Sequence, residues 1–291
     1  VQPPHVVTAA QATALGAGRG RRQGADWLHL AHDRWVQLPD AVDARERLAL
    51  LAQGLPPDAA YSHLAAAHLL GAHVDLPARP TIALTPRRVL PQRAEVVTRT
   101  RSLAADDVVV VDGLRVTSGA QTFLDCAAAM SADELCAVGD ALLRAGTLDP
   151  AELAARLTRA GRTRGVVRAR AVAPHLDGRA MSRPESQVRW WLIDSDLPPV
   201  ELQVPVRDAR GEVVAHGDLG WEAWKVLGEY EGRHHAEADQ FDSDIDRYSL
   251  MAADGWLVLR FANRHRNRRT VVDRCRRALV SRGWQPPPRP R

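Results

Sequence analysis

Two glutamates, Glu229 and Glu231, close an apolar run in the stretch GDLGWEAWKVLGEYEGRHH (Gly217 to His235), with Asp218 upstream and His234 and His235 just downstream. Alternate side chains of a strand share a face, so the two glutamates stand roughly 6–7 Å apart on one side. Like charges so placed repel unless solvent or a cation lies between them. Hard oxygen ligands of this kind suit Mg²⁺ or Mn²⁺, and imidazole titrates near neutrality, where it can take a proton from water. A solvated hairpin accounts for the same residues without chemistry, since aspartate and histidine are common at exposed turns.

Other polar residues carry similar double readings. Glu185 is the fourth residue of Ser182-Arg183-Pro184-Glu185, an S-x-x-E capping box that explains it without a catalytic role. Arg247 and Arg260 are placed either to reach phosphate or to pair with nearby acids. Asp242, Asp244 and Asp246 imitate the opening of a calcium loop. Its sixth position is Arg247 in place of glycine and its twelfth Ala253 in place of glutamate, so a solvated helix face is the better reading. His63, His68 and His73 lack the i, i+4 spacing of a helical ligand pair.

The elements that must position the C-terminal acids follow from periodicity. SRPESQVRWWLIDS reads as a helix, VELQVPVRD, EVVAHGDLGW and AWKVLGEYEG as three strands, and the segment through Phe241, Ile245, Tyr248 and Ala252 as a helix. GWLVLRFAN is a fourth strand and RRTVVDRCRRALVSRG a basic closing helix. Helix, three strands, helix, strand, helix is an α/β layout: a mixed sheet flanked by helices.

Upstream, DAAYSHLAAAHLLGAH is a helix with Ser62 as N-cap and Gly71 as stop, PTIALT and AEVVTRT alternate as strands, and Asp112-Gly113 suits a type I′ hairpin. Three helices follow: one after Thr117 or Ser118, one opened by a Ser131-x-x-Glu134 box, one by Asp149-Pro150. These readings give an α+β domain over 59–178, a boundary near Asp177 to Ala180, an α/β domain over 180–283 and a Pro/Arg tail over 284–291. Residues 1–58 read poorly, offering one short strand pair.

With 291 residues, 45% hydrophobic and 25% charged, the chain has room for about two domains. Cys126, Cys136 and Cys275 form no C-x-x-C pair, which argues against a zinc ribbon or disulfide scaffold and for buried thiols in a reducing cytoplasm. No apolar run is long enough to span a bilayer. The net charge of +4 is uneven, because Arg260 to Arg291 holds one acid, Asp273, among many arginines. A basic end beside a carboxylate cluster suits a protein that acts on phosphate backbones, so DNA is the expected partner.

With these pieces in order, SRPESQVRWWL, HGDLGW, LGEYEGRHH, DRYSLMAADGW and VLRF resemble the Vsr-like endonuclease domains of the PD-(D/E)XK superfamily over about Met181 to Leu279. The resemblance implies a restriction-endonuclease-like sheet and Mg²⁺ (or Mn²⁺)-dependent hydrolysis of phosphodiester bonds in DNA, in repair, mobile-element or phage defence. It makes Asp218 and Glu229 the metal carboxylates, Glu185 an accessory acid and Gln203 a polar residue on the site-facing edge. His235, or His234, would be the base, and Arg247, Arg260 and Arg264 would serve the DNA. The superfamily lysine is replaced by Glu231, and Lys225, the only lysine in the chain, is its displaced substitute if there is one.

The stretches AYSHLAAAHLLG, PTIALTP and GLRVTSGAQTFLDCAAAMSADELCAVGDALL are similar to AbiEi-type antitoxins and transcriptional regulators of toxin–antitoxin systems. That similarity implies a winged-helix start, of which TAAQATALGAGRGRR keeps one helix and WLHLAHDRWVQLP the wing, and a toxin or defence-system partner. The expectation is therefore a DNA endonuclease with a regulator-like N-terminal part. The alternative is a DNA-binding regulator or antitoxin whose nuclease fold is inactive.

Overall fold

The computed structural model describes residues 6–24, 26–31, 33–38, 43–91, 93–207, 210–231, 248–262 and 267–287; the side chains of Ala31 and Glu231 are outside the description. The chain divides into two compact units, Val1–Cys126 and Ala127–Arg291. The loop at 177–180 lies inside the second unit.

The first unit opens with β1 (Val6–Val7), α1 (Ala9–Ala14), β2 (Trp27–Ala31) and β3 (Arg34–Gln37), the strands forming a small sheet in the order β1-β3-β2. Thr8 caps α1, accepting the Gln11 N–H while the Gln11 side chain takes the Thr8 N–H. The β2–β3 hairpin packs Leu28, Leu30 and Val36 against Leu50 and Leu51 of α2 (Ala44–Ala52). The sequence reading of one short strand pair among these residues is met by the β2–β3 hairpin.

A mixed five-stranded sheet follows, in the order β6-β5-β4-β8-β7. It comprises β4 (Ala60–Ser62), β5 (Thr81–Leu84), β6 (Val97–Thr100), β7 (Val108–Val111) and β8 (Leu114–Thr117), with α3 (His63–Leu69) after β4 and α4 (Gly119–Ala127) after β8. The β7–β8 hairpin turns at Asp112 (φ 51°) and Gly113 (φ 78°), and two successive positive φ values are what a type I′ turn requires.

The second unit starts with α5 (Ala132–Arg144), α6 (Pro150–Thr158) and α7 (Val166–Val172). Their caps are the ones the sequence announces: Glu134 accepts the Ser131 N–H, and Asp149 accepts the N–H groups of Ala151 and Glu152. Then come α8 (Arg183–Ile193), β9 (Glu201–Arg207), β10 (Val213–Trp221), β11 (Val226–Glu231), α9 (248–253), β12 (Leu257–Ala262) and α10 (Arg268–Ser281). The sheet runs β12-β11-β10-β9, antiparallel except for β11 beside β12, whose parallel pairing needs the crossover that holds α9.

Helices cover both faces of this sheet. Val188 and Leu192 of α8 with Val271, Cys275 and Leu279 of α10 pack on Leu202, Leu219, Trp221 and Phe261. Met251 of α9 and Trp256 pack on Val204, Val206 and Leu227 on the other side. Close approach of β10 to β11 needs Gly220, where a Cβ would stand 2.4 Å from the Val226 carbonyl oxygen. All three cysteines are buried, as read from the sequence, and burial pushes each thiol well above its ordinary range.

Candidate functional site

The second-unit sheet has a fault where the candidate acids lie. In β9, Leu202 joins the α8/α10 core while Val204 joins the α9 core, although residues two apart in a regular strand share a face. The residue between them, Gln203, has φ 51°, a left-handed backbone that turns the strand over. Its neighbour β10 changes face over the same stretch, with Ala215 toward α9 and Leu219 toward α8 and α10. The register Gly217↔Val204 and Leu219↔Leu202 places Asp218 beside Gln203 at the crossing point. A non-glycine residue held at positive φ inside a strand is strained by about 1–3 kcal/mol, and such strain clusters at functional positions.

Asp218 also closes the other side of β10. The ladder to β11 extends to Leu219 opposite Gly228, and beyond it the Tyr230 N–H is met by Asp218 Oδ2 at 2.8 Å in place of a backbone carbonyl. Glu185, 7% exposed in the first turn of α8, accepts the Met181 N–H at 2.9 Å, and its own N–H donates to Ser182 Oγ. Ser182 therefore caps α8, while the Glu185 carboxylate reaches back past the cap to Met181, so the reciprocal half of the expected capping box is not made. Burial raises the Glu185 carboxyl above the usual carboxylate range, and the charge of Asp218 adds to the rise. These two acids are electrostatic neighbours.

Glu229 meets a residue of α9. It is 4% exposed, and Tyr248 Oη of α9 donates to its Oε2 at 2.5 Å. Arg260, its register partner on β12, lays its guanidinium 4.5 Å from the Tyr248 ring centroid. A buried carboxylate is tolerated there because a hydroxyl and a cation compensate it. Asp218 is thus tied toward Glu185, and Glu229 toward Tyr248 and Arg260.

Lys225 does not reach this site. The third strand begins after it, at Val226; Lys225 itself takes φ 49° in the preceding turn and donates Nζ to the Asp254 carbonyl at 2.7 Å. The lone lysine ties a turn and does not stand in for the superfamily lysine. Gln203 and Arg260 lie where described above. The Glu231 side chain, His234, His235, Arg247, Arg264 and the Asp242–Asp246 series fall outside the described residues.

Among the described residues, no group of three or more His, Cys, Asp or Glu is gathered to hold a metal ion. Asp218 and Glu229 each give one oxygen to an internal donor. Tyr248 is the participant that sequence reasoning missed, since its place in the apolar helical spacing marked it as core.

The basic helix α10 is only partly committed to its own unit. Arg268 pairs with Asp194 and Arg276 with Asp196; Arg269 and Arg277 are exposed, their contacts being with Asp273 of the same helix. No helix among the described residues is long and apolar enough to cross a membrane.

Comparison with known proteins places a family on part of this frame. The AbiEi antitoxin C-terminal domain family model matches residues 59–174, from β4 to the end of the α5–α7 helices. Two uncharacterized proteins of Mycobacterium tuberculosis, from strains CDC 1551 / Oshkosh and ATCC 25618 / H37Rv, are each 31% identical over 150 residues, 51% of this chain and 55% of theirs. The chain thus spans about half the length of the curated relatives it matches. The crystal structure of the RV2827C protein from Mycobacterium tuberculosis is similar over 69% of this chain and 79% of its own, with 17% identity and a TM-score of 0.39.

Proposed function

We propose that the chain is a DNA-binding regulator of the antitoxin type, with a toxin or defence-system protein as its partner. The match of residues 59–174 to an antitoxin domain carries this reading. Two features support it: the small helix-and-hairpin sheet at the N-terminal end and the exposed arginines of α10. Arginine on a helix surface contributes to phosphate binding through counterion release, so affinity falls steeply with salt. The test is fluorescence anisotropy with duplex DNA across a salt series. Salt-sensitive binding is expected, and Arg269→Glu with Arg277→Glu should lower the salt slope by about 2. Absence of binding at low salt sinks the reading.

A second reading, phosphodiester hydrolysis by the C-terminal sheet with Mg²⁺ or Mn²⁺, is favoured by one observation: Asp218 sits at a strained crossing of β9 and β10 within electrostatic range of Glu185. It is tested by nicking of supercoiled DNA with Mg²⁺, Mn²⁺ or EDTA, comparing the native chain with Asp218→Asn. Metal-dependent nicking lost in the variant supports hydrolysis. Binding without nicking leaves the regulator alone.

A further inference from the structure

Helices α5, α6 and α7 of the second unit border a cavity that neither reading uses. Its volume is about 370 Å³, and its lining is four leucines, two prolines, two alanines and one arginine. Protein interiors are packed closely enough that apolar space of this size is rarely left among helices. Here the sequence leaves it. Leu153 and Leu157 stand one turn apart on the inner face of α6 and are buried, while Ala154 beside them offers the cavity only a methyl group. Beyond α7 the chain enters a 3-10 turn, Ala173–His175, in which Ala173 is again short and Pro174 has no N–H with which to carry the helix on. Two short side chains and a helix end line the space that long side chains would have closed.

Arg170 of α7 is the charged member of the lining and is exposed, so its cation stands at the mouth. Its Nη2 donates to the Leu157 carbonyl at 2.8 Å, in the last turn of α6, which pins the guanidinium against the cavity wall. This bond occupies one corner of the fork and leaves the other N–H groups for a second acceptor. Among the described residues no carboxylate pairs with Arg170. The surrounding stretch has the same sign of charge: from Pro150 to Leu176 the chain carries six arginines and one acid, Glu152.

We propose that this cavity binds a small aliphatic carboxylate, its hydrocarbon chain against the leucines and its carboxylate on Arg170. Sites for small ligands have volumes of about 300–1,000 Å³, are mostly apolar and hold a few placed polar groups, which is the composition found here. One guanidinium matches one carboxylate, whereas a phosphate ester, with more charge, calls for more than one cation. The lining has no aromatic ring on which a planar ligand would stack. A partner's helix needs a row of anchors over about two turns, and this cavity is a single hollow beside one cation. None of its lining belongs to α10 or to the second-unit sheet, so its occupancy is tested independently of DNA binding and hydrolysis.

The experiment is isothermal titration calorimetry of the full chain with octanoate, with octanol and a synthetic acidic amphipathic helical peptide as comparison ligands. Saturable binding of octanoate is expected, about tenfold tighter than octanol, because only the acid gains the charge-assisted pair. Arg170→Gln should remove that advantage. Ala154→Leu, at an exposed helical position where leucine suits the helix, should fill the cavity and abolish binding of both ligands while the melting temperature holds. Octanoate that does not saturate, octanol that binds as tightly, or Ala154→Leu that binds octanoate like the native chain overturns the assignment. Binding of the peptide alone, lost in Ala154→Leu, would give the cavity to a protein partner and overturn it equally.

Discussion

The Asp140 carboxylate receives the Arg189 guanidinium at 2.7 and 2.8 Å, and both side chains are shut off from solvent. The pair joins α5 to α8 and is bonded further, although Arg189 Nε is buried without a partner: Asp177 N–H donates to Asp140 Oδ1 at 2.8 Å, and Arg189 Nη1 donates to the His175 carbonyl at 2.6 Å. Burial raises the Asp140 carboxyl, with Arg189 pulling against it. Removing one partner strands the other charge in a dry site. Asp140→Ala is expected to cost about 3–5 kcal/mol, while the apolar pair Asp140→Leu with Arg189→Met should cost far less. Urea unfolding of both variants checks the contrast; equal losses would contradict it.

Glu185→Gln should stabilise the fold at neutral pH. The folded-state pKa of Glu185 is raised by burial and by Asp218, so ionisation costs more in the folded chain than in the unfolded one. Its contribution is whole below the ordinary glutamate range and is lost as pH rises through the raised value. The amide keeps an acceptor for the Met181 N–H. Melting curves should show the variant ahead at pH 8 and level with the native chain in acid; a variant that melts lower at every pH means the carboxylate is purely structural.

Tyr248→Phe removes the hydroxyl that meets Glu229 in its buried position. A buried carboxylate stripped of a donor costs about 1–3 kcal/mol, and the loss should fall on α9 and the β11–β12 pair. Hydrogen exchange at Glu229 and Arg260 amides reads it locally. Unchanged protection there would mean that Arg260 compensates alone.

Gln203→Gly tests whether the left-handed residue stores strain. Glycine adopts φ near 50° without a Cβ penalty, so the variant should be neutral or more stable by up to about 1 kcal/mol despite the added chain entropy. If it also loses DNA affinity or nicking, the strain belongs to the site. A destabilised variant would show that the Gln203 side chain holds the crossing.

The low pKa of His63 makes the first unit acid-sensitive. A depressed value gives stability that is present above the ordinary imidazole range and lost as pH falls toward about 4. The loss amounts to about 2–3 kcal/mol at most. His63→Gln should flatten the stability profile between pH 7 and 4, as measured by urea midpoints; an equally steep profile in the variant would place the acid sensitivity elsewhere.

By itself the sequence determined the elements and most of their ends. Ser131, Asp149, Ser182 and Asp112-Gly113 act through atoms a few residues away, so their caps and turn are local physics and appear where read. The order helix, three strands, helix, strand, helix was legible for the same reason, as was the antitoxin-like pattern over the region the family model covers. Tertiary structure decided what each acid touches. Strand parity could not anticipate that Gln203 turns its strand over, because a left-handed residue breaks the alternation on which parity depends. Nor could it show that Asp218 takes the Tyr230 N–H and raises the Glu185 carboxyl, or that Glu229 takes the Tyr248 hydroxyl, because these contacts form only when α8, α9 and the sheet come together.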